Sequence, residues 1–218
     1  MDIEKLLIQF EQKLILQRYS PNSIRNYKSA MKSFLEIAEK KFSHPSELNE
    51  AIIEKYVLWK VQKHKIGSSH QRKIIASIDK FYSLVYNTKL NIEHLYPVRK
   101  SYSLPNYLTT DEVKKLIESV ENIKHRCIIK LLYGSGLRLG ELLHLKLTDI
   151  DSKSMIIHIK NSKGNKDRVV MLSEALLEEL RTYFIKHKPA DFLFEGQSGG
   201  MYSPKSVQVI VKNAASKA

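Results

Sequence analysis

The chain has 218 residues, 43% of them hydrophobic, and carries 36 Lys and Arg against 23 Asp and Glu, a net charge of +13. That length holds one large domain or two modest ones. No apolar run approaches the ~20 residues that cross a bilayer, residues 1–17 mix charge and hydrophobe too tightly for a secretory signal, and the single cysteine excludes a disulfide framework and fits a reducing cytoplasm. The basic excess is +8 in residues 1–105 and +5 in residues 106–218. No tail explains it, so a polyanionic partner is expected; a soluble protein that is merely basic is the plain alternative.

Helical stripes come first. Ile3, Leu6, Leu7, Phe10 and Leu14 recur at helical spacing. Ser20-Pro21 supplies an N-cap followed by proline at the first helical position, and the stripe Ile24, Tyr27, Met31, Phe34, Leu35 and Ala38 follows. Ser43-His44-Pro45 breaks the pattern before a third stripe, Ile52, Ile53, Tyr56 and Val57. Gly67-Ser68-Ser69 ends that helix and caps a fourth, striped by Ile74, Ile75, Ile78, Phe81, Tyr82 and Val85. Four short amphipathic helices on tight loops predict a compact helical domain over residues 1–95. Residues 96–106 hold two prolines and no stripe, and read as a linker. A second domain over residues 107–218 opens on the capping box Thr109-Thr110-Asp111-Glu112, with Val113, Leu116, Ile117 and Val120 facing inward. A helix over 123–133 leads into the turn Gly134-Ser135-Gly136 and a helix over 137–146. The period then changes. Residues 155–159 and 168–172 are β-branched runs flanking a polar stretch, 161–167, which predicts a hairpin. Helices over 174–187 and 204–215 close the chain. The expected fold class is mainly α with a small β-hairpin or sheet.

Four segments offer chemistry. The Gly134-Ser135-Gly136 turn puts Arg138 in the first turn of a helix, anchored by Leu139, Leu142 and Leu143. A guanidinium there can pair with phosphate oxygens, aided by the helix N-terminus. Glu141 can reach back to hold it, although the same spacing also describes an ordinary surface ion pair. A nucleotide-binding glycine loop is excluded because the turn follows a helix and lacks Gly-Lys-Ser/Thr. The hairpin tip gathers Lys163, Lys166 and Arg168, with Gly164 and Asn165 supplying turn geometry; a solvated basic hairpin is the alternative. Two polar helix starts suit phosphate contact: Ser69, His70, Arg72 and Lys73 at one, Asn22, Ser23, Arg25 and Lys28 at the other, with Tyr27 turned to the core. Cys127 lies in an apolar stretch and reads as a small core residue. The eight histidines are scattered at no metal-ligand spacing, so no metal site is expected.

Taken in order, these segments resemble the tyrosine recombinase/integrase family, in its Xer-like and mobile-element branch. The matching run is Leu132 to Leu142, Leu-Tyr-Gly-Ser-Gly-Leu-Arg-Leu-Gly-Glu-Leu, followed by Leu147-Thr148-Asp149-Ile150 and by Lys163-Gly164-Asn165-Lys166-Asp167-Arg168. Residues 20–27, Ser-Pro-Asn-Ser-Ile-Arg-Asn-Tyr, look like the family's core-binding domain. The resemblance implies a SAM-like helical core-binding domain and part of an α+β catalytic domain of the DNA breaking-rejoining type, together clamping duplex DNA. It implies site-specific recombination through a 3′-phosphotyrosyl intermediate, no cofactor, and further protomers in a tetrameric synapse. Arg138 matches the first catalytic arginine, which stabilises phosphate charge, and Lys163 the hairpin lysine that protonates the departing 5′ oxygen. The family's His-x-x-Arg box and late nucleophilic tyrosine have no counterpart in these 218 residues, and Tyr202 precedes the place where that box falls. The chain is therefore expected to bind duplex DNA without cutting it, as the front portion of a recombinase. A non-enzymatic DNA-binding regulator on the same scaffold, or an unrelated basic protein that binds RNA or another protein, are the competing readings.

Overall fold

Asp2 starts the first helix by accepting the Lys5 N–H at 3.0 Å, and α1 spans Ile3–Leu16. Ser20 caps α2, Pro21–Ala38, and Asn49 caps α3, Glu50–His64, each through a side-chain oxygen on a backbone N–H three residues on. The fourth helix, α4 (Ser68–Val85), begins directly behind Gly67 with no side-chain cap. The capping role expected of the serines there is not taken up. The apolar stripes converge on Phe10, Phe34 and Phe81, all fully buried, with Phe10 meeting Phe81 edge to face at 5.3 Å. Tyr27 leans on this cluster through Phe10 and Tyr19. The Tyr82 hydroxyl donates to the Pro45 carbonyl at 2.7 Å, tying the 3-10 turn Pro45–Glu47 to α4.

The computed structural model describes residues 1–98, 106–160 and 166–218. Most of the expected linker, and the hairpin tip 161–165 with Lys163, lie outside the described residues. The chain divides into two units, Met1–Leu104 and Pro105–Ala218, whose cores share no residue.

In the second unit Thr109 and Glu112 form the expected capping box on α5, Thr110–Glu118. Helix α6, Ile123–Gly134, is capped by Asn122 and buries Cys127, Ile128, Ile129 and Leu131. Helix α7 is shorter than its sequence predicts. It spans Leu139–His144, because Arg138 (φ −73°, ψ 153°) and Leu145 (φ −66°, ψ 125°) are extended. Arg138 is thus the N-cap residue, one step before the first turn. A 3-10 turn, Leu147–Asp149, leads to a three-stranded antiparallel sheet in the order β1 (Ile150–Asp151), β2 (Ile156–Ile159), β3 (Arg168–Met171). The hairpin is β2–β3, in register Ile157↔Val170 and Ile159↔Arg168. Strand β1 adds a third member that two residues of periodicity could not announce. Helices α8 (Glu174–His187) and α9 (Pro204–Lys217) complete the unit. The fold is mainly α with a small sheet. Among the described residues no helix is long and apolar enough to cross a membrane.

Candidate functional site

The turn before α7 needs one unusual backbone conformation. Gly136 has φ +59°, open to glycine at no steric cost. The chain then extends through Leu137, buried, to Arg138, whose side chain is 61% exposed. Glu141 holds this turn from below. Its carboxylate is buried, accepts the Arg138 backbone N–H at 2.8 Å on Oε2, and takes the Arg138 guanidinium at 2.8 Å on Oε1. Burial separates this contact from the ordinary surface pair that the spacing also allowed. A carboxylate withdrawn from water is little screened, and it fixes where the arginine starts.

Glu141 has a second cationic partner. Arg168, the first residue of β3, donates from its two terminal nitrogens to Oε1 and Oε2 at 2.5 and 2.8 Å, and also to the Gly136 carbonyl at 3.3 Å. The fork matches the two carboxylate oxygens, a geometry lysine cannot reproduce. One acid therefore ties the arginine turn to the stem of the hairpin. Arg168, expected to face DNA, is half-buried and committed to this bridge. Lys166 is exposed.

Two further pieces of this unit bear on the chemistry. Burial pushes the Cys127 thiol up to about 12, which keeps it protonated and unreactive. Tyr202 is half-buried with the Lys124 ammonium 4.2 Å from its ring centre, and burial lowers the Lys124 pKa. Among the described residues no group of His, Cys, Asp and Glu could hold a metal ion.

In the first unit, Lys73 donates to Asn26 Oδ1 at 3.2 Å, and Lys80 lies 5.8 Å from the Tyr19 ring centre. The first of these bonds joins the opening turns of α2 and α4. Asn22, Arg25, Ser69, His70 and Lys73 are exposed. Ser23 is used in the α2 cap, through its N–H and its hydroxyl. Lys28 is paired with Glu11 at 2.5 Å. Arg72 donates to the Pro97 carbonyl at 2.5 Å, beside Gln71 donating to the Leu95 carbonyl at 2.7 Å. These last two hold the chain where it leaves the unit, a task that no local sequence signal carries, since the partners lie 24 and 25 residues away.

Asp149 and Lys160 form a second pairing that the motifs did not announce. Asp149 is buried, accepts the Lys146 N–H at 2.9 Å, and takes the Lys160 ammonium at 2.6 Å. The signal available was an Asp three residues after Lys146, the same offset as Arg138–Glu141.

A helical unit built on capped amphipathic helices is thus followed by a unit in which a buried acid joins an exposed arginine to the stem of a hairpin. The chain belongs to the phage integrase family: residues 106–218 match that family, and residues 6–92 match its N-terminal SAM-like domain. An integrase/recombinase of Escherichia coli is 32% identical over 178 residues, 81% of this chain and 52% of the relative. The tyrosine recombinase XerA of Pyrococcus horikoshii is 38% identical over 119 residues, 53% of this chain and 42% of the relative. The chain spans about half the length of the curated relatives it matches. In fold it is similar to a lambda integrase tetramer bound to a Holliday junction (TM-score 0.76, 17% identity, 98% of this chain and 63% of that one). It is also similar to the XerH recombinase in a pre-cleavage complex with its difH substrate (TM-score 0.71, 21% identity, 97% and 69%).

Proposed function

We propose that this chain is the DNA-recognising front portion of a site-specific recombinase, working on duplex DNA beside other recombinase protomers and, in the whole protein, through a 3′-phosphotyrosyl intermediate. The observation that carries the reading is Arg138: an exposed guanidinium, fixed at its root by a buried carboxylate that also secures the hairpin. Such a group meets a phosphate already oriented, and stabilises the charge that builds there as the phosphodiester is attacked. Lys163 supplies the proton to the departing 5′ oxygen, and Lys166, exposed and three residues on in the sequence, adds positive charge. In the first unit Asn22, Ser23, Arg25, Ser69, His70 and Lys73 meet the backbone of the duplex. Lys28 and Arg72 support that face through Glu11 and Pro97. Strand cleavage needs a His-x-x-Arg pair and a nucleophilic tyrosine, and these 218 residues contain no His-x-x-Arg.

The test is duplex binding by fluorescence anisotropy across a salt series. Binding should weaken steeply with salt, and Arg25→Ala with Lys73→Ala should reduce the slope by roughly 2, at about 0.9 for each phosphate no longer neutralised. A nicked suicide duplex should yield no covalent protein–DNA adduct. Salt-independent binding, or a slope the double variant leaves unchanged, would remove the first unit from the interface. An adduct would place the nucleophile within this chain.

A further inference from the structure

Two buried carboxylates flank the hairpin, and the second stands outside the machinery proposed above. Asp149 has a side chain 6% exposed. Its Oδ2 accepts the Lys146 N–H at 2.9 Å, closing the 3-10 turn Leu147–Asp149, and its Oδ1 accepts from Lys160 Nζ at 2.6 Å. Lys160 directly follows β2, and Arg168 opens β3 opposite Ile159. The arrangement around Glu141 is thereby repeated. In each case a buried acid takes the backbone N–H three residues before it and one cation from one stem of the hairpin.

We infer that Asp149 and Lys160 form a positioning pair that, together with Glu141 and Arg168, pins both stems of the hairpin at the points where the chain enters and leaves residues 161–167. The inference rests on the proposed function, in which Lys163 acts from that segment. With Lys160 and Arg168 each held by a buried acid, both ends of the β2–β3 pairing are fixed before DNA arrives. Lys160 would otherwise be counted as one more phosphate contact of a basic hairpin. Its geometry speaks for the other role. The ammonium is held by a carboxylate that is itself withdrawn from water and anchored on its second oxygen. The bond and the charge of Asp149 hold the Lys160 pKa above its ordinary value, as expected of a cation committed to a partner.

Hydrogen exchange on the intact chain, without DNA, tests the pin. Lys160→Met keeps the length of the side chain and removes its charge. The β2 and β3 amides nearest the tip should then exchange at least fivefold faster, while the α6 amides keep their protection. Lys160→Arg should restore the slow exchange. Unchanged hairpin exchange in Lys160→Met overturns the inference. So does an equal loss in α6, which would make the pair a stability contact of the whole unit. Anisotropy on the same variants separates the rival role: the salt slope of Lys160→Met should equal that of the parent, and a fall of about 0.9 would make Lys160 a phosphate ligand instead. If even the parent chain does not bind duplex DNA, the proposed function fails while the exchange result still decides the pin.

Discussion

At Glu141 one carboxylate answers for two guanidinium groups and one backbone N–H. Glu141→Gln preserves its shape and leaves two cations facing a neutral amide. Hydrogen bonds to charged groups are worth roughly 1.5–3 kcal/mol, and part of this is offset because both arginines reach solvent. Urea unfolding should show the second unit destabilised by about 2 kcal/mol, and Arg168→Lys, which loses the fork, should cost about 1 kcal/mol. A wild-type midpoint in Glu141→Gln would mean the acid does not hold the bridge. Cys127 gives a prediction with a pH sign. Burial keeps its thiol protonated up to about 12, against an ordinary value of 9.0. Below pH 9 both folded and unfolded thiols are neutral and stability is undiminished. Between pH 9 and 12 the unfolded thiol ionises first, so stability falls as pH rises. Cys127→Ala should flatten that part of the alkaline decline, and iodoacetamide should label the native chain at pH 8 only when denaturant is added. At this scale Arg138 and Glu141 were legible, because glycine turns and a three-residue offset are local signals. Asp149 and Lys160 were not, because their pairing depends on how a 3-10 turn and a strand meet.

Helix α5 has nine residues, too few to persist without help. Thr109 gives that help by accepting the Glu112 N–H, while the Glu112 carboxylate accepts the N–H and hydroxyl of Thr109. Thr109→Ala should therefore cost about 1 kcal/mol near neutral pH. The bonds from Thr109 lower the Glu112 pKa from its ordinary 4.5. The stabilising carboxylate is fully present above that value and is lost as pH falls through the lower folded one. The gap between Thr109→Ala and the parent should shrink in acid, and a gap constant to pH 3 would exclude the carboxylate from the cap. The long stripes were readable because 14 to 18 residues give several turns of evidence. The misjudged elements are short. The hydrophobic run 137–146 reads as one helix, but Glu141 draws the Arg138 N–H inward, and the chain leaves helical geometry again at Leu145.

Each unit has a core of its own and a basic excess of its own, so the two should fold and bind separately. Residues 1–98 and 106–218 expressed apart should each bind duplex DNA weakly. The intact chain should bind at least about 100-fold more tightly than either, because tethering makes the second binding event intramolecular. Equal affinity of the chain and one unit would mean that the other does not touch DNA. The paired anchors at the hairpin stems also free the length of the tip from the register of the sheet. Once its two ends are posts rather than free chain, lengthening the loop between them costs only about 0.6 kcal/mol per doubling. A longer tip that keeps Lys163 should therefore leave both the β2–β3 register and the arginine turn in place.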